Sequence, residues 1–106
     1  MPTKLIADHE VELNDEGFFV DPTQWTAEMA PLIAEDVGVP TPLTDQHWLV
    51  IDFMRKEYFE KGTGPTVRKL GKASGVTTKE LFQLFPKGPA KLAAYCAGIP
   101  KPRGCI

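Results

Sequence analysis

The last eleven residues constrain this 106-residue chain more than any other stretch, because they cannot continue a helix. They read Cys96-Ala-Gly-Ile-Pro-Lys-Pro-Arg-Gly-Cys-Ile106, with two prolines and two glycines between the only two cysteines of the chain. Proline breaks helices and is excluded from central strands, so we expect a flexible, extended arm stiffened by Pro100 and Pro102. Gly98 and Gly104 predict a hinge at each end of that arm. The arm would carry the penultimate cysteine away from the folded body.

The length and composition of the chain predict one domain, spanning residues 1–106, with one modest core. The sequence contains no apolar run of membrane-spanning length and no apolar signal segment after Met1, so no membrane insertion is expected. The expected compartment is therefore the cytoplasm, where thiols stay reduced. Two cysteines are also too few for a disulfide framework.

Charge is divided unevenly along the chain. Up to Met54, Lys4 is the only cation against eleven carboxylates, whereas from Arg55 onward eleven cations face three carboxylates. The two halves therefore carry about −10 and +8. The basic half suggests an acidic partner or nucleic acid, unless the two halves fold together and neutralise each other.

The pattern of apolar residues and turn signals predicts a mainly helical α+β fold. Residues 4–20 form a β-hairpin region, with strands at 4–7 and 11–13 around a turn at 8–10 and a third short strand at 18–20. Residues 21–97 form a small orthogonal helical bundle, and residues 98–106 form the arm. A hairpin of this size must rest its apolar face on the helices.

Helix-capping residues set the predicted helix boundaries. Thr26 is expected to cap a helix that runs to Val37, and Thr44 a long helix from 45 to 61. Pro65 opens the next helix, and residues 66–85 have the outline of a helix-turn-helix. Its second helix starts with a capping box, and a last helix covers 90–97.

The two cysteines differ in their expected chemistry. Cys105 has Lys101 and Arg103 nearby, which favour a thiolate, while the terminal carboxylate of Ile106 opposes it. Cys96 lies near the C-terminal end of a helix, where the dipole disfavours a thiolate. Nine residue steps separate the sulfurs, about 30 Å if extended. The arm could thus fold back to form a disulfide, or Cys96 could be a small core residue.

Other functional hypotheses rest on weaker sequence patterns. The histidines and cysteines of the chain lack the paired spacing of a zinc site, and no glycine-rich phosphate loop or Ser/His/Asp arrangement is present. The helix-turn-helix outline suggests DNA binding, with Lys79 and Gln83 available for base edges and Arg68 for phosphates. Two features argue against DNA binding: the second helix of this outline carries only one cation, and its apolar residues leave a narrow polar face. Neither a cofactor nor a metal is expected.

Several motifs resemble the DsrC/TusE family along essentially the whole chain. They are Asp-Glu-Gly-Phe-Phe19 with Trp25, Thr-Asp-Gln-His-Trp48, Gly-Pro-Thr-Val-Arg68, Leu-Phe-Pro-Lys-Gly-Pro-Ala-Lys91 and Ala-Gly-Ile-Pro-Lys-Pro-Arg-Gly-Cys-Ile106. The resemblance implies a small helical bundle with an N-terminal hairpin and a C-terminal arm. It also implies a sulfur carrier, a sulfurtransferase-type protein that does not act as an enzyme alone, with Cys105 holding sulfur as a persulfide.

Partners also follow from the resemblance. It implies a TusBCD-like or DsrEFH-like sulfur donor, and either dissimilatory sulfite reductase or a tRNA-thiolating enzyme as acceptor. The implied arm and docking residues are Pro100, Lys101, Pro102, Arg103, Gly104, Arg68, Lys87 and Lys91.

The position of the second cysteine departs from the family pattern. The sulfite-reductase branch is expected to have ten residues between its two arm cysteines, which puts Ala94 at the equivalent position. Cys96 lies two residues later, about 200° further around a helix. A role for Cys96 as a second thiol, in a redox switch with Cys105, therefore cannot be inherited directly.

Overall fold

The computed structural model describes residues 3–101 and contains a β-hairpin followed by helices. Within these residues the elements are β1 (Thr3–Ile6), β2 (His9–Glu12), a 3-10 turn (Pro22–Gln24), α1 (Met29–Val37), α2 (Asp45–Lys61), α3 (Val67–Ala73), α4 (Thr78–Leu84) and α5 (Pro89–Ala97). The prediction of a mainly helical α+β fold with an N-terminal hairpin is confirmed. No helix in the described part of the chain is long and apolar enough to cross a membrane.

The hairpin is tighter than predicted. β1 and β2 pair antiparallel from Thr3 opposite Glu12 to Ile6 opposite His9. The turn is therefore Ala7-Asp8, both with positive φ, as in the two-residue turns that suit strand twist. The prediction of a turn at 8–10 was wrong, because His9 already belongs to β2. The predicted third strand is reduced to a single bridge between Leu13 and Phe19.

Two of the predicted helix starts are confirmed in detail. The Thr44 hydroxyl accepts a hydrogen bond from the backbone N–H of His47, and the Nδ1 atom of His47 accepts one from the backbone N–H of Thr44. Thr77 and Glu80 form the predicted capping box at the start of α4. In both helices, side chains satisfy backbone donors that a helix N-terminus leaves unpaired.

Two other starts were predicted wrongly. α1 begins at Met29 instead of after Thr26, because residues 26–28 form a separate turn in which the Thr26 carbonyl accepts from the Met29 N–H at 3.0 Å. Pro31 falls in the first turn of α1, where its missing N–H costs no helical bond. Pro65 precedes α3, which is capped by Thr66.

Helix α5 lies at the centre of the core and contacts both α1 and α2. Apart from Pro89 at its start, its buried residues are small, which lets the neighbouring helices approach closely: Ala90, Ala93, Ala94, Cys96 and Ala97. Larger side chains fill the space around it, among them Phe18, Phe19, Met29, Ile51 and Met54. The residues that follow α5 therefore leave from the middle of the bundle.

The helix-turn-helix-like pair, α3 and α4, is held to the bundle by a buried carboxylate. Glu57 of α2 is 7% exposed and accepts a hydrogen bond from Lys69 of α3 at 2.7 Å. This bond, together with Lys61, holds the pKa of Glu57 below its ordinary value. Within the pair, Gly71 packs against Thr78 so closely that a Cβ atom there would force the Thr78 hydroxyl to move.

Candidate functional site: the root of the C-terminal arm

The arm root, residues 97–101, connects α5 to the predicted sulfur-carrying segment. Four predicted site residues lie outside the described residues: Pro102, Arg103, Gly104 and Cys105. Pro100 and Lys101 are both half-buried. The described residues show how the body holds the start of the arm.

Gly98 is a helix cap and does not act as the predicted hinge. It has a φ of 65°, in the left-handed region where glycine ends helices most readily. A Cβ atom at this position would clash with the side chain of Trp25. The next residue, Ile99, is fully buried and donates its N–H to the Ala94 carbonyl at 3.2 Å. The hinge prediction was wrong because the glycine serves the αL cap and the close approach of the indole.

Two side chains from distant elements bind the end of α5. The indole N–H of Trp25 donates to the Cys96 carbonyl at 2.8 Å. Arg55 of α2 donates to the Ala97 carbonyl at 2.7 Å and to the Pro22 carbonyl at 3.2 Å. The Arg55 guanidinium also stacks over the Trp25 ring, 4.2 Å from its centroid. Burial lowers the pKa of Arg55, yet a guanidinium keeps its charge in proteins.

The path beyond Ile99 leads to the turn between β2 and the 3-10 turn. The Lys101 Nζ atom lies 3.0 Å from the Glu16 carboxylate. Tyr95 donates its hydroxyl to the Glu16 backbone carbonyl at 2.6 Å, and its ring stacks on Phe18 with centroids 4.1 Å apart. Among the ion pairs of residues 3–101, only Lys101–Glu16 joins the acidic half of the chain to the basic half.

A cleft of about 490 Å³ opens beside Glu16 and Tyr95, between the hairpin, α1 and α5. It brings together two of the predicted docking residues, Lys87 and Lys91, at its α5 side. Apolar side chains form much of its lining, including Ile6, Phe19 and Ile33. The third predicted docking cation of the body, Arg68, is exposed on α3 and does not line this cleft.

Cys96 is a core residue in this structure. Its side chain is 0% exposed, and burial raises the pKa of its thiol to about 12. The sequence predicted a poor nucleophile from the helix dipole, and the structure adds desolvation as the dominant cause. Cys96 is a free thiol here. Of the two interpretations left open for Cys96, the buried core residue is the one that the structure supports.

The alternative sites receive no support from the described residues. Between Thr3 and Lys101, no cluster of three or more histidine, cysteine or carboxylate side chains could hold a metal ion. In α4, Lys79 and Gln83 are exposed, but so is Phe82, at 51%. An exposed aromatic ring on this helix is not a feature that phosphate or base-edge contacts require.

The sequence did not reveal Arg55 or Glu16 as parts of the site. Arg55 stood out only as the first residue of the basic half, and Glu16 only as part of a polar turn. Their partners, Ala97 and Lys101, are 42 and 85 residues away in sequence. A single sequence carries no periodic or spacing signal for contacts of that range. The one available hint was that Arg55 lies at helical spacing between the apolar residues Ile51 and Tyr58.

Comparison with known proteins gives a consistent result. The family model "DsrC like protein" matches residues 5–106. The sulfurtransferase TusE of Escherichia coli (strain K12) is 40% identical over 104 residues, covering 92% of this chain and 94% of the relative. The sulfurtransferase TusE of Pectobacterium atrosepticum is 42% identical over 98 residues, covering 86% and 88%.

Solved structures agree with the sequence relatives. The crystal structure of dissimilatory sulfite reductase I (DsrI) matches with a TM-score of 0.86 and 33% identity, covering 99% of this chain and 100% of that one. The oxidized gamma-subunit of the dissimilatory sulfite reductase (DsrC) from Archaeoglobus fulgidus matches with a TM-score of 0.81 and 32% identity, with the same coverage.

Fold and site together define a class of small, mainly helical proteins with an N-terminal β-hairpin, in which a central helix, α5, anchors the segment that follows it. The chain belongs to the DsrC-like family, as the match over residues 5–106 and the identity to its relatives show.

Proposed function

We propose that Cys105 holds sulfur as a persulfide and passes it between partner proteins. The chain is a sulfur-relay carrier, which its family and the sulfurtransferases among its relatives support. The identity of the carrying residue is the further step. It rests on one observation above all, namely that Cys96 is fully buried and that burial raises the pKa of its thiol. Cys105 is the only other cysteine of the chain and is therefore the residue proposed to carry sulfur.

The chemistry needs only thiolate exchange. The Cys105 thiolate attacks the outer sulfur of a donor persulfide, R–S–SH, so that a new S–S bond forms on Cys105 and the donor S–S bond breaks. The donor leaves as a thiolate, R–S⁻, and Cys105 becomes Cys–S–SH, so no external oxidant or reductant is consumed. Delivery repeats the same exchange, with the acceptor thiolate as the attacking group.

Lys101 and Arg103 precede the carrier residue by four and two positions, and cations at such short sequence distance favour a thiolate. Lys87 and Lys91 line the cleft beside the arm root, and with the exposed Arg68 they give the body cations for acidic partner surfaces. Pro100, Pro102 and Gly104 are the remaining proposed arm residues between the body and the thiol.

The proposed partners are sulfur donors and sulfur acceptors, and their classes come from the family resemblance. A TusBCD-like or DsrEFH-like protein is the proposed donor, and a tRNA-thiolating enzyme or dissimilatory sulfite reductase the proposed acceptor. Both acceptors stay in the proposal, because the curated relatives are named as TusE sulfurtransferases and the similar solved structures are named for dissimilatory sulfite reductase. A cytoplasmic location is proposed with these partners, since a persulfide carrier needs reduced thiols.

Intact-protein mass spectrometry tests the carrier residue. After incubation with a small persulfide donor such as glutathione persulfide, the chain should gain about 32 Da, the mass of one sulfur atom. Cys96→Ala should gain the same mass and Cys105→Ala none. An adduct that survives Cys105→Ala would overturn the proposal.

A further inference from the structure

The end of α5 has an unusually complete set of hydrogen bonds. An α-helix leaves its last four carbonyls without helical partners. Here the carbonyls of Ala94 and Tyr95 accept from the backbone N–H groups that follow the helix. The carbonyls of Cys96 and Ala97 accept instead from the side chains of Trp25 and Arg55. The last turn is therefore held by two residues that are distant in sequence.

Arg55 contacts several separate parts of this region at once. Its guanidinium lies 4.2 Å from the Trp25 centroid and 5.1 Å from that of Phe59, while its N–H groups reach Ala97 and Pro22. A guanidinium offers donors in a planar fork and also stacks on aromatic faces. One residue thus ties α2, the 3-10 turn and the C-terminal end of α5 into a fixed arrangement.

We infer that Arg55, with Trp25, is a positioning residue that sets the point and direction from which the Cys105 arm leaves the body. This inference rests on the proposed carrier role of Cys105. The direction is given by the residues just past the helix, because Ile99 is buried and Lys101 pairs with Glu16. We therefore expect Cys105 to meet reporter groups more often on the side of the 14–17 turn than elsewhere on the body.

Positioning of the arm by Arg55 would change the rate of sulfur transfer between proteins. It would leave the loading of Cys105 by a small donor unaffected. A small donor can reach the thiol from any direction. A partner protein that has docked on the body meets the thiol at an effective concentration set by where the arm starts and how freely it swings. Without Arg55, the Ala97 carbonyl loses its donor, while the Pro22 carbonyl keeps only the backbone N–H of Trp25. The last turn of α5 is then freer to fray.

Reporter thiols measure this direction without a partner protein. A cysteine is introduced at Asp15, next to Glu16, or at Thr23, in the 3-10 turn; both positions are exposed. The effective concentration of Cys105 at each reporter is read from the disulfide equilibrium in a glutathione buffer. We expect it to be at least about threefold higher at position 15 than at position 23.

The variants separate positioning from simple stability. Arg55→Gln should lower the ratio toward one without abolishing it, because Ile99 and the Lys101–Glu16 pair remain while the last turn of α5 frays. Arg55→Lys should give an intermediate ratio because an ammonium cannot form the fork. Lys56→Gln, which removes the neighbouring exposed cation, should leave the ratio unchanged. If Arg55→Gln does not fold, Trp25→Phe is the alternative, because it replaces the indole by a smaller ring that has no N–H donor. This substitution should also lower the ratio.

Two results would overturn the inference: a ratio near one in the chain with intact Arg55, or a ratio that Arg55→Gln leaves unchanged. Loading by glutathione persulfide is measured on the same Arg55, Lys56 and Trp25 substitutions without a reporter cysteine, and should equal that of the parent chain. If Cys105 takes up no sulfur in the parent chain, the proposed function fails, whereas the reporter ratio still decides the role of Arg55.

Discussion

The indole N–H of Trp25 donates to the carbonyl of Cys96 across 71 residues of sequence, at a distance of 2.8 Å. This bond uses the backbone of Cys96 while its side chain stays in the core. The same ring covers Gly98, where the helix ends. One tryptophan thus fixes both the end of α5 and the start of the arm.

Substituting Gly98 should destabilise the fold more than substituting a comparable glycine. Gly98→Ala places a Cβ in a left-handed conformation and against Trp25, so we expect a loss of about 2–4 kcal/mol in unfolding free energy. Gly38 also caps a helix with positive φ but has open space around it. Gly38→Ala should cost about 1 kcal/mol. Urea denaturation compares the two, and equal losses would contradict the packing of Trp25 on Gly98.

The buried His47 should make stability depend on pH. Its Nδ1 accepts from the Thr44 N–H, and its Nε2 lies 3.1 Å from the Leu84 carbonyl, so the neutral ring fits with Nε2 as donor. Burial is the main cause that lowers its pKa from the ordinary 6.5, opposed by the bond to Leu84. The unfolded chain therefore binds the proton first, and the stabilisation present above about pH 6.5 is lost as the pH falls through the lower folded pKa.

Denaturation at a series of pH values tests this assignment. His47→Gln should flatten the change in unfolding free energy just below about pH 6.5, while His9→Gln, at an exposed position of β2, should preserve it. A pH profile that His47→Gln does not alter would contradict the role of the ring.

The Glu57–Lys69 contact should hold the helix-turn-helix-like pair to α2. Glu57→Gln keeps the shape of the side chain but weakens its 2.7 Å bond, so we expect a loss of about 1 kcal/mol. Glu35→Gln, at an exposed position of α1, serves as the control and should change stability little. Because the pKa of Glu57 is lowered, chiefly by Lys69, its contribution should disappear as the pH falls through that pKa. An equal effect of both substitutions would argue against the contact.

The two thiols should differ sharply in reactivity. In the native chain at about pH 8, a thiol reagent should modify Cys105 at least about 100-fold faster than Cys96, since only the thiolate reacts and burial disfavours it. In denaturant, both should react at similar rates. Rapid native modification of Cys105→Ala would show that Cys96 is accessible and would revive the redox-switch alternative.

The sequence predicted what local chemistry determines. Thr44 and Thr77 mark helix starts through caps formed within a few residues, and these were predicted correctly. Predictions failed where a distant contact decides the conformation. Gly98 has the same local signal whether it is a hinge or a covered cap, and only the position of Trp25 distinguishes the two.

The candidate site was predictable in part for the same reason. Cys105 stands out through its position in the sequence, and the contrast with Cys96 could be anticipated from the helix terminus. The anchoring residues were not, because Arg55 reaches Ala97 only once α2 and α5 have packed. The roles of these anchoring residues follow from tertiary contacts, and no residue spacing in a single sequence indicates such contacts.

Delivery of sulfur from Cys105 is the most direct measure of a carrier. The Cys96→Ala chain is loaded with glutathione persulfide, freed of donor and mixed with an excess of a synthetic cysteine peptide, and both masses are followed. We predict that the chain loses about 32 Da while the peptide gains the same mass in equal amount. Sulfur that stays on the chain, or that was never held at Cys105, would contradict the account.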